Sequence, residues 1–181
     1  PQYRLDSDAS SNTTFGSITT YTIPINISSE GIWTIEFFST DLAGNIENTQ
    51  SKTIVIDRTS PSTGSISLPD YTSSATPSMS LSSTGANKMK FSCNGTDFSS
   101  PVDFASNYSG FNITNGANGC NSNNETKTIF AQFGDNAGNW NTSSISDTTF
   151  FDTSSPASIT VDTSIDGTTG IRATWNTSSD S

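Results

Sequence analysis

Apolar and polar residues alternate in short runs along this chain, and turn residues separate the runs. In "GIWTIEFFST", residues 31–40, the side chains of Trp33, Ile35 and Phe37 fall on one face of an extended segment. A period of two is typical of a strand with one buried face. "TTYTIPINI" at 19–27 alternates in the same way, with a proline that favours an edge strand. No segment has helical periodicity over ten residues, so the pattern predicts an all-β protein.

Seven further runs predict the strands of a complete unit. Seven short strands with turns between them fit two antiparallel sheets packed as a β-sandwich. The strands are expected at 65–68, 78–83, 88–92, 101–104, 108–113, 126–133 and 146–151. The expected core comprises Met79, Leu81, Met89, Phe91, Phe111, Ile113, Ile129, Ala131, Phe133 and Phe150.

The chain also repeats part of itself. "TIEFFSTDLAGN" matches "TIFAQFGDNAGN" at an offset of 94, "VIDRTSP" matches "FFDTSSP" at 95, and "YRLD" is placed over "MKFS" at 86. Such a repeat indicates an array of domains. We expect a partial domain at 1–60 that lacks its first two strands, a complete domain at 61–156, and the first two strands of a further domain at 157–181.

The element repeated most closely is Asp-x-Ala-Gly-Asn, at 41–45 and 135–139. Aspartate accepts hydrogen bonds from backbone N–H groups just after it, and glycine adopts positive φ without steric cost. The motif therefore predicts a tight corner between two strands, which needs no ligand.

Composition and charge exclude several classes of function. The net charge is −10 with seven basic residues, which gives no patch suited to nucleic acid. No apolar run is long enough to cross a bilayer. The chain has no histidine, which excludes Ser-His-Asp and Cys-His catalysis, and no glycine-rich phosphate loop precedes a helix. We expect neither an enzyme nor a bound cofactor, with calcium the one ion considered.

Cys93 and Cys120 are the only cysteines. In a secreted β domain the simplest interpretation is one disulfide, whereas in the cytosol they would be two free thiols. A zinc site would need about four ligands, which the chain does not supply.

Asn-x-Ser/Thr sequons predict N-glycosylation sites in an exported protein. They begin at Asn12, Asn26, Asn94, Asn107, Asn112, Asn124, Asn141 and Asn176.

The motifs resemble the tandem immunoglobulin-like and fibronectin-III-like domains of bacterial and archaeal cell-surface proteins. Those repeats read Tyr-x-Leu-Asp, Gly-x-x-Thr-Ile/Val, Asp-x-Ala-Gly-Asn and Asp-x-x-x-Pro, found here from residues 3, 31, 41 and 57. The last two recur from 135 and 152, and "MKFSCNGTDFSSPVDFAS" resembles archaeal versions with a cysteine pair. The resemblance implies tandem Ig-like β-sandwiches, one complete and two partial, on the cell surface.

Calcium is the sharpest ligand hypothesis, because this cation prefers several oxygen ligands. The second corner should face the end of the sandwich where the preceding domain enters. Asp57, Asp135, Asn136 and Asn139 would then form a junction site as in cadherin-like arrays. The alternative is that these residues only cap turns.

The two chain ends carry complementary halves of one sandwich. Exposed half-sandwiches are unstable in water, so we expect the strands of one subunit to complete the first half of the next. Ile159, Val161, Ile171, Ala173 and Trp175 would pack on Leu5, Ile23, Ile25, Trp33, Ile35 and Phe37. The alternative is that the same sandwich forms along one chain in a longer covalent array.

Two classes of function follow. The first is a structural module of an extracellular filament, stalk or surface layer. The second is an adhesin that binds carbohydrate or protein through aromatic residues such as Phe98, Phe104, Tyr108 and Trp140, and an accessory domain of a secreted enzyme is a further alternative. A Lys–Asn isopeptide bond at Lys52 or Lys127 would need a buried lysine beside a carboxyl group.

Overall fold

A computed structural model describes residues 1–6, 16–166 and 170–175. In these residues it has no helix, and its fourteen strands form four sheets. The all-β prediction is confirmed, and the arrangement is consistent with a β-sandwich. No helix in the described part of the chain is long and apolar enough to cross a membrane.

The first sheet is antiparallel and has the order β2-β1-β3-β4. Its strands are β1 (Gln2–Asp6), β2 (Thr19–Thr20), β3 (Gly31–Phe38) and β4 (Gln50–Ile56). The long strand expected at 19–27 is wrong, because only its first two residues are strand. Pairing with β1 ends where the Tyr21 N–H bonds the Pro1 carbonyl, and Pro24 has no N–H with which to continue a ladder.

The central unit follows, with two sheets of order β10-β7-β5 and β6-β12-β11-β8-β9. The strands are β5 (Ser65–Ser67), β6 (Tyr71–Thr72), β7 (Met79–Ser82), β8 (Lys88–Ser92), β9 (Val102–Asp103), β10 (Asn107–Tyr108), β11 (Glu125–Gly134) and β12 (Ile145–Phe151). Inward residues from both sheets share one core, which includes nine of the ten expected residues. The exception is Phe150, because Phe151 is the buried one and Phe150 packs beside Tyr71.

Two elements of the central unit differ from the expected strands. The strand expected at 108–113 is reduced to β10, because Pro77 follows shortly in the register and lacks an N–H for the ladder. Phe111 and Ile113 are still buried, and the Ile113 N–H bonds the Ala75 carbonyl. The sequence pattern also missed β6, which pairs in parallel with β12.

Cross-strand registers test the internal repeat residue by residue. Thr34 lies opposite Thr53, and Thr128 lies opposite Thr148, which reproduces the offsets of 94 and 95. Tyr3 lies opposite Phe37, whereas Phe91 lies opposite Ala131. The offset between β1 and β8 is therefore 88, and the alignment at 86 is two residues out. An even slip leaves the inward face unchanged, since side chains alternate with a period of two.

A separate hairpin of β13 (Val161–Asp166) and β14 (Gly170–Trp175) forms the fourth sheet. The first of the two strands expected within 157–181 thus begins at Val161, and Ile159 lies before it. Val161 pairs with Trp175 and Thr163 with Ala173, so these four residues share one face. Ile171 pairs with Ile165 in the same register, and its side chain lies outside the described residues.

Candidate functional site: an uncovered sheet face and two matched corners

The first sheet carries an apolar face, which we define by Tyr3, Leu5, Trp33, Ile35, Phe37 and Ile54. Strand registers place Tyr3 opposite Phe37, Leu5 opposite Ile35, and Trp33 opposite Ile54. Directly opposite residues of an antiparallel pair lie on the same side of the sheet. A cavity of about 330 Å³ opens on this face and is lined by Pro1, Gln2, Tyr3, Tyr21, Ile25, Ile35 and Phe37.

The reverse side of the same sheet carries more polar residues, although it also includes the buried Phe38. Arg4 forms an ion pair with Glu36, and the hydroxyls of Thr34 and Thr53 are 3.2 Å apart. The polar and apolar sides therefore differ in the manner of a sheet that is covered on one side only.

The repeat shows what covers this face in the central unit. Phe37 is 44% exposed, whereas Ala131 at the equivalent position is completely buried under the sheet β10-β7-β5. Within the described residues no comparable sheet lies on the apolar face, and Ile23 beside it is 71% exposed. The chain thus presents an apolar face on which Phe37 is exposed and the other five residues are half-buried, and no second sheet of the described residues lies over it.

The β13–β14 hairpin is the second open element. Val161 is 56% and Trp175 68% exposed, although they lie on the same face of the hairpin. Ile159 is also exposed. A two-stranded hairpin alone is marginally stable in water, so this face also lacks the packing that a stable sheet requires.

The two Asp-x-Ala-Gly-Asn corners have the same hydrogen bonds. The Asp41 carboxylate accepts the backbone N–H of Asn45 at 2.8 Å and its side-chain Nδ2–H at 2.8 Å. The corresponding distances from Asn139 to Asp135 are 2.9 and 2.8 Å. Gly44 and Gly138 have φ of 90° and 94°, a region that favours glycine. The aspartate, the glycine and the asparagine of the motif therefore all take part in closing the corner.

Hydrogen bonds from the asparagine side chains are the main cause of a pKa below the usual aspartate value for both Asp41 and Asp135. A lowered folded-state pKa stabilises the fold above the unfolded-state pKa, and the effect is lost as pH falls through the folded-state value. We predict that Asp135→Ala and Asp41→Ala each lower the melting temperature at neutral pH. In each variant the melting temperature should also fall less between neutral pH and strong acid than it does in the wild type. Melting curves from neutral pH to strong acid would check this, with the wild type as reference, and parallel curves would contradict it.

The second corner lies at the junction with the first sheet, as the calcium hypothesis required. Asp57, Asp135 and Asn136 line one cavity of about 540 Å³, and the Asn139 Nδ2–H bonds the Asp57 backbone carbonyl at 3.1 Å. Across the described ranges, however, no group of three or more His, Cys, Asp or Glu residues is placed to hold a metal ion. The Asp135 oxygens already accept the Asn139 donors, so a cation would compete with the corner. Calcium binding stays a prediction.

The structure joins Cys93 to Cys120 in a disulfide. Cys120 is buried in the core, and the Cys93 N–H bonds the Asn118 carbonyl. The bond fixes the loop between β10 and β11 to the end of β8.

The sequons differ in accessibility. Asn26, Asn94, Asn107 and Asn124 are exposed and Asn112 is half-buried, whereas Asn12 and Asn176 lie outside the described residues. The predicted glycosylation site at Asn141 is wrong, because this residue is buried and its enclosed Nδ2 leaves no room for a glycan. Its Oδ1 accepts the Phe133 N–H at 2.8 Å, a structural role that the sequon pattern concealed.

The aromatic residues considered for adhesion are engaged within the central unit. Phe104 packs edge-on against Phe133, and Tyr108 stacks on Phe91 at 5.3 Å. The Lys90 Nζ lies 4.4 Å from the Trp140 ring and 5.2 Å from the Phe98 ring. All four rings are therefore already in contact with other residues of the central unit.

One further group was only half anticipated from the sequence. Lys127 is buried and contacts Asn121, a residue that no motif had singled out, whereas Lys52 is exposed.

Comparison with models of known families finds no match to this chain, and no curated protein matches it.

Proposed function

We propose that this chain is a non-catalytic structural module of an extracellular filament, stalk or surface layer, built from tandem Ig-like sandwiches. The observation that carries the proposal is the uncovered apolar face of the first sheet. We assign its cover to the β13–β14 hairpin of a second copy of the chain.

The strand order of the central unit supports the Ig-like part. Its first two strands lie in different sheets, because β5 is beside β7 in the smaller sheet and β6 is beside β12 in the larger one. Strands β11 and β8 are in the interior of the larger sheet. In an Ig-like sandwich strands A, B and E likewise share one sheet and strands C, F and G the other, which is the division of β5, β7 and β10 from β8, β11 and β12.

Chain order supports the choice of hairpin. After the strand β4 the chain passes through Asp57 and Pro61 into β5, which pairs with β7. After β12 it passes through Asp152 and Pro156 into β13, which pairs with β14. The hairpin therefore occupies the position of the two strands that begin a sandwich, and the first sheet has the pairing of the strands that finish one.

A contact between the hairpin of one copy and the first sheet of the next is heterologous. Such a contact does not close on itself unless the copies form a ring, and it otherwise grows a fibre. The disulfide favours an oxidising compartment, because disulfides persist mainly in exported proteins. The contact geometry supports a fibre, and the disulfide supports its assembly outside the cell.

A pair of charge substitutions on one strand tests the proposal. Phe37 and Ile32 are both 44% exposed, but they lie on opposite sides of β3. We expect Phe37→Lys to abolish self-association, since a lysine there would lose its hydration when the hairpin docks. Ile32→Lys should leave association unchanged. Light scattering after size exclusion and electron microscopy would measure the result.

Deletion of residues 157–181 should have the same effect as Phe37→Lys. Fibres that assemble normally without those residues would disprove hairpin complementation. A wild-type chain that stays monomeric at all concentrations would disprove pairing between copies and favour a cover from within one longer polypeptide.

A further inference from the structure

A buried amine in the central unit has reactive partners that the proposed assembly does not use. The Lys127 side chain is 3% exposed and lies on the inward face of β11, next to Thr149 on β12. Its Nζ donates to Asn121 Oδ1 at 2.5 Å and to Glu125 Oε1 at 2.8 Å. An amine, a carboxamide and a carboxylate thus meet at one point.

The fold holds these three groups together. Glu125 and Lys127 are two residues apart on one strand and therefore project to the same face. Asn121 follows Cys120, which the disulfide fixes to the end of β8. A strand and a covalent bond therefore fix the backbone positions of the three residues.

The carboxamide is also polarised by the backbone. Asn121 Oδ1 accepts the N–H of Asn123 at 2.9 Å as well as the lysine amine. An N–H directed at a carbonyl oxygen stabilises the negative charge that develops there when a nucleophile attacks the carbon. The hydrogen bond from Lys127 also keeps the pKa of Glu125 below its usual range. Glu125 is therefore ionised, and the 2.8 Å contact places its Oε1 where it can receive a proton released by the amine.

We propose that Lys127 and Asn121 form an intramolecular isopeptide bond, with Glu125 transferring the proton. The Glu125 carboxylate takes a proton from the lysine ammonium, and the neutral amine attacks Asn121 Cγ. The Nζ–Cγ bond forms, the Cγ–Nδ2 bond breaks, and Nδ2 leaves as ammonia with protons that include the one held by Glu125. No oxidant or cofactor is required, because the step exchanges one amide for another.

The attack requires one movement. Nζ now contacts the oxygen of the carboxamide, and it must reach the face of Cγ. Asn121 is exposed, so its side chain has room to turn. Proximity of this kind replaces a collision between two molecules with a step inside one, which is the main gain of held reactants.

Mass spectrometry of the purified full chain tests the bond. We expect an intact mass, after reduction of the disulfide, that is lower than the sequence mass by one ammonia. Peptide mapping should show no cleavage by trypsin after Lys127 and no labelling of its amine in the denatured protein. The mapping is needed because Asn-Gly pairs, such as Asn115-Gly116, also lose ammonia by forming a backbone succinimide.

Three variants complete the test. Glu125→Gln keeps the shape of the side chain but removes the proton acceptor, so it should restore the full mass at this site and a labelled Lys127. Lys127→Met should also remove the loss, and Lys52→Met should retain it, because Lys52 is exposed. A wild-type protein with a free, labelled Lys127 would overturn the proposal, whatever its state of assembly. The result is therefore independent of the proposed filament.

Discussion

Replacement of Phe133 by alanine should lower the free energy of unfolding of the central unit by about 3–5 kcal/mol. Phe133 is completely buried, and its ring packs edge-on against Phe104 with the centroids 5.8 Å apart. Removing the ring leaves a cavity between the two sheets, because its neighbours are held by backbone pairing and relax only in part. The backbone of Phe133 keeps its two hydrogen bonds with Asn141, so the loss reports on packing.

Urea denaturation followed by near-UV circular dichroism would measure this loss. Phe130→Ala is the matched control, since it removes the same ring from the same strand on the opposite side of the sheet. Phe130 is only half-buried, and we expect roughly 1 kcal/mol at that position, in the ordinary range for single substitutions. Equal losses at the two positions would contradict the assignment of the inward face.

Removal of the disulfide should cost roughly 3 kcal/mol, because the bond restricts the unfolded chain between two residues 27 apart. The double variant Cys93→Ala, Cys120→Ala is suitable, since Cys120 lies in an apolar core where a serine hydroxyl would lack a partner. The urea midpoint should fall to the same value in this variant and in the reduced wild type.

A reducing agent should then have no further effect on the double variant. An unchanged midpoint after verified reduction of the wild type would show that the loop is already ordered without the bond. The backbone hydrogen bond from Cys93 to Asn118 would be the reason in that case.

The features that the sequence predicted well are those with local causes. The corner at Asp135 depends on an aspartate, a glycine and an asparagine within five residues, so its hydrogen bonds could be deduced from the motif. The inward residues Ile129, Ala131 and Phe133 of β11 follow from their spacing of two along the strand. Long strands and tight turns therefore emerge from short stretches of chain.

The features that were missed depend on a distant partner. "FF" at 150–151 does not reveal which ring is buried, because that choice is set by the register with β11. The sequon at Asn141 does not show that the side chain caps the Phe133 backbone. The open face of the first sheet was expected, but the short β2 was not, since its length depends on the partner strand available to it.

The parallel pairing of β6 with β12 has a mechanical consequence. The chain enters the central unit through β5, continues into β6 and leaves after β12. Once tension along the polypeptide reaches β6, it pulls β6 and β12 in opposite directions along their common axis. The bonds from the Phe150 N–H to the Asp70 carbonyl and from the Asp152 N–H to the Thr72 carbonyl are then sheared together and do not open one at a time. The short edge at β6 thereby adds a sheared contact to the pairing of β5 with β7, and both resist stretching of this unit.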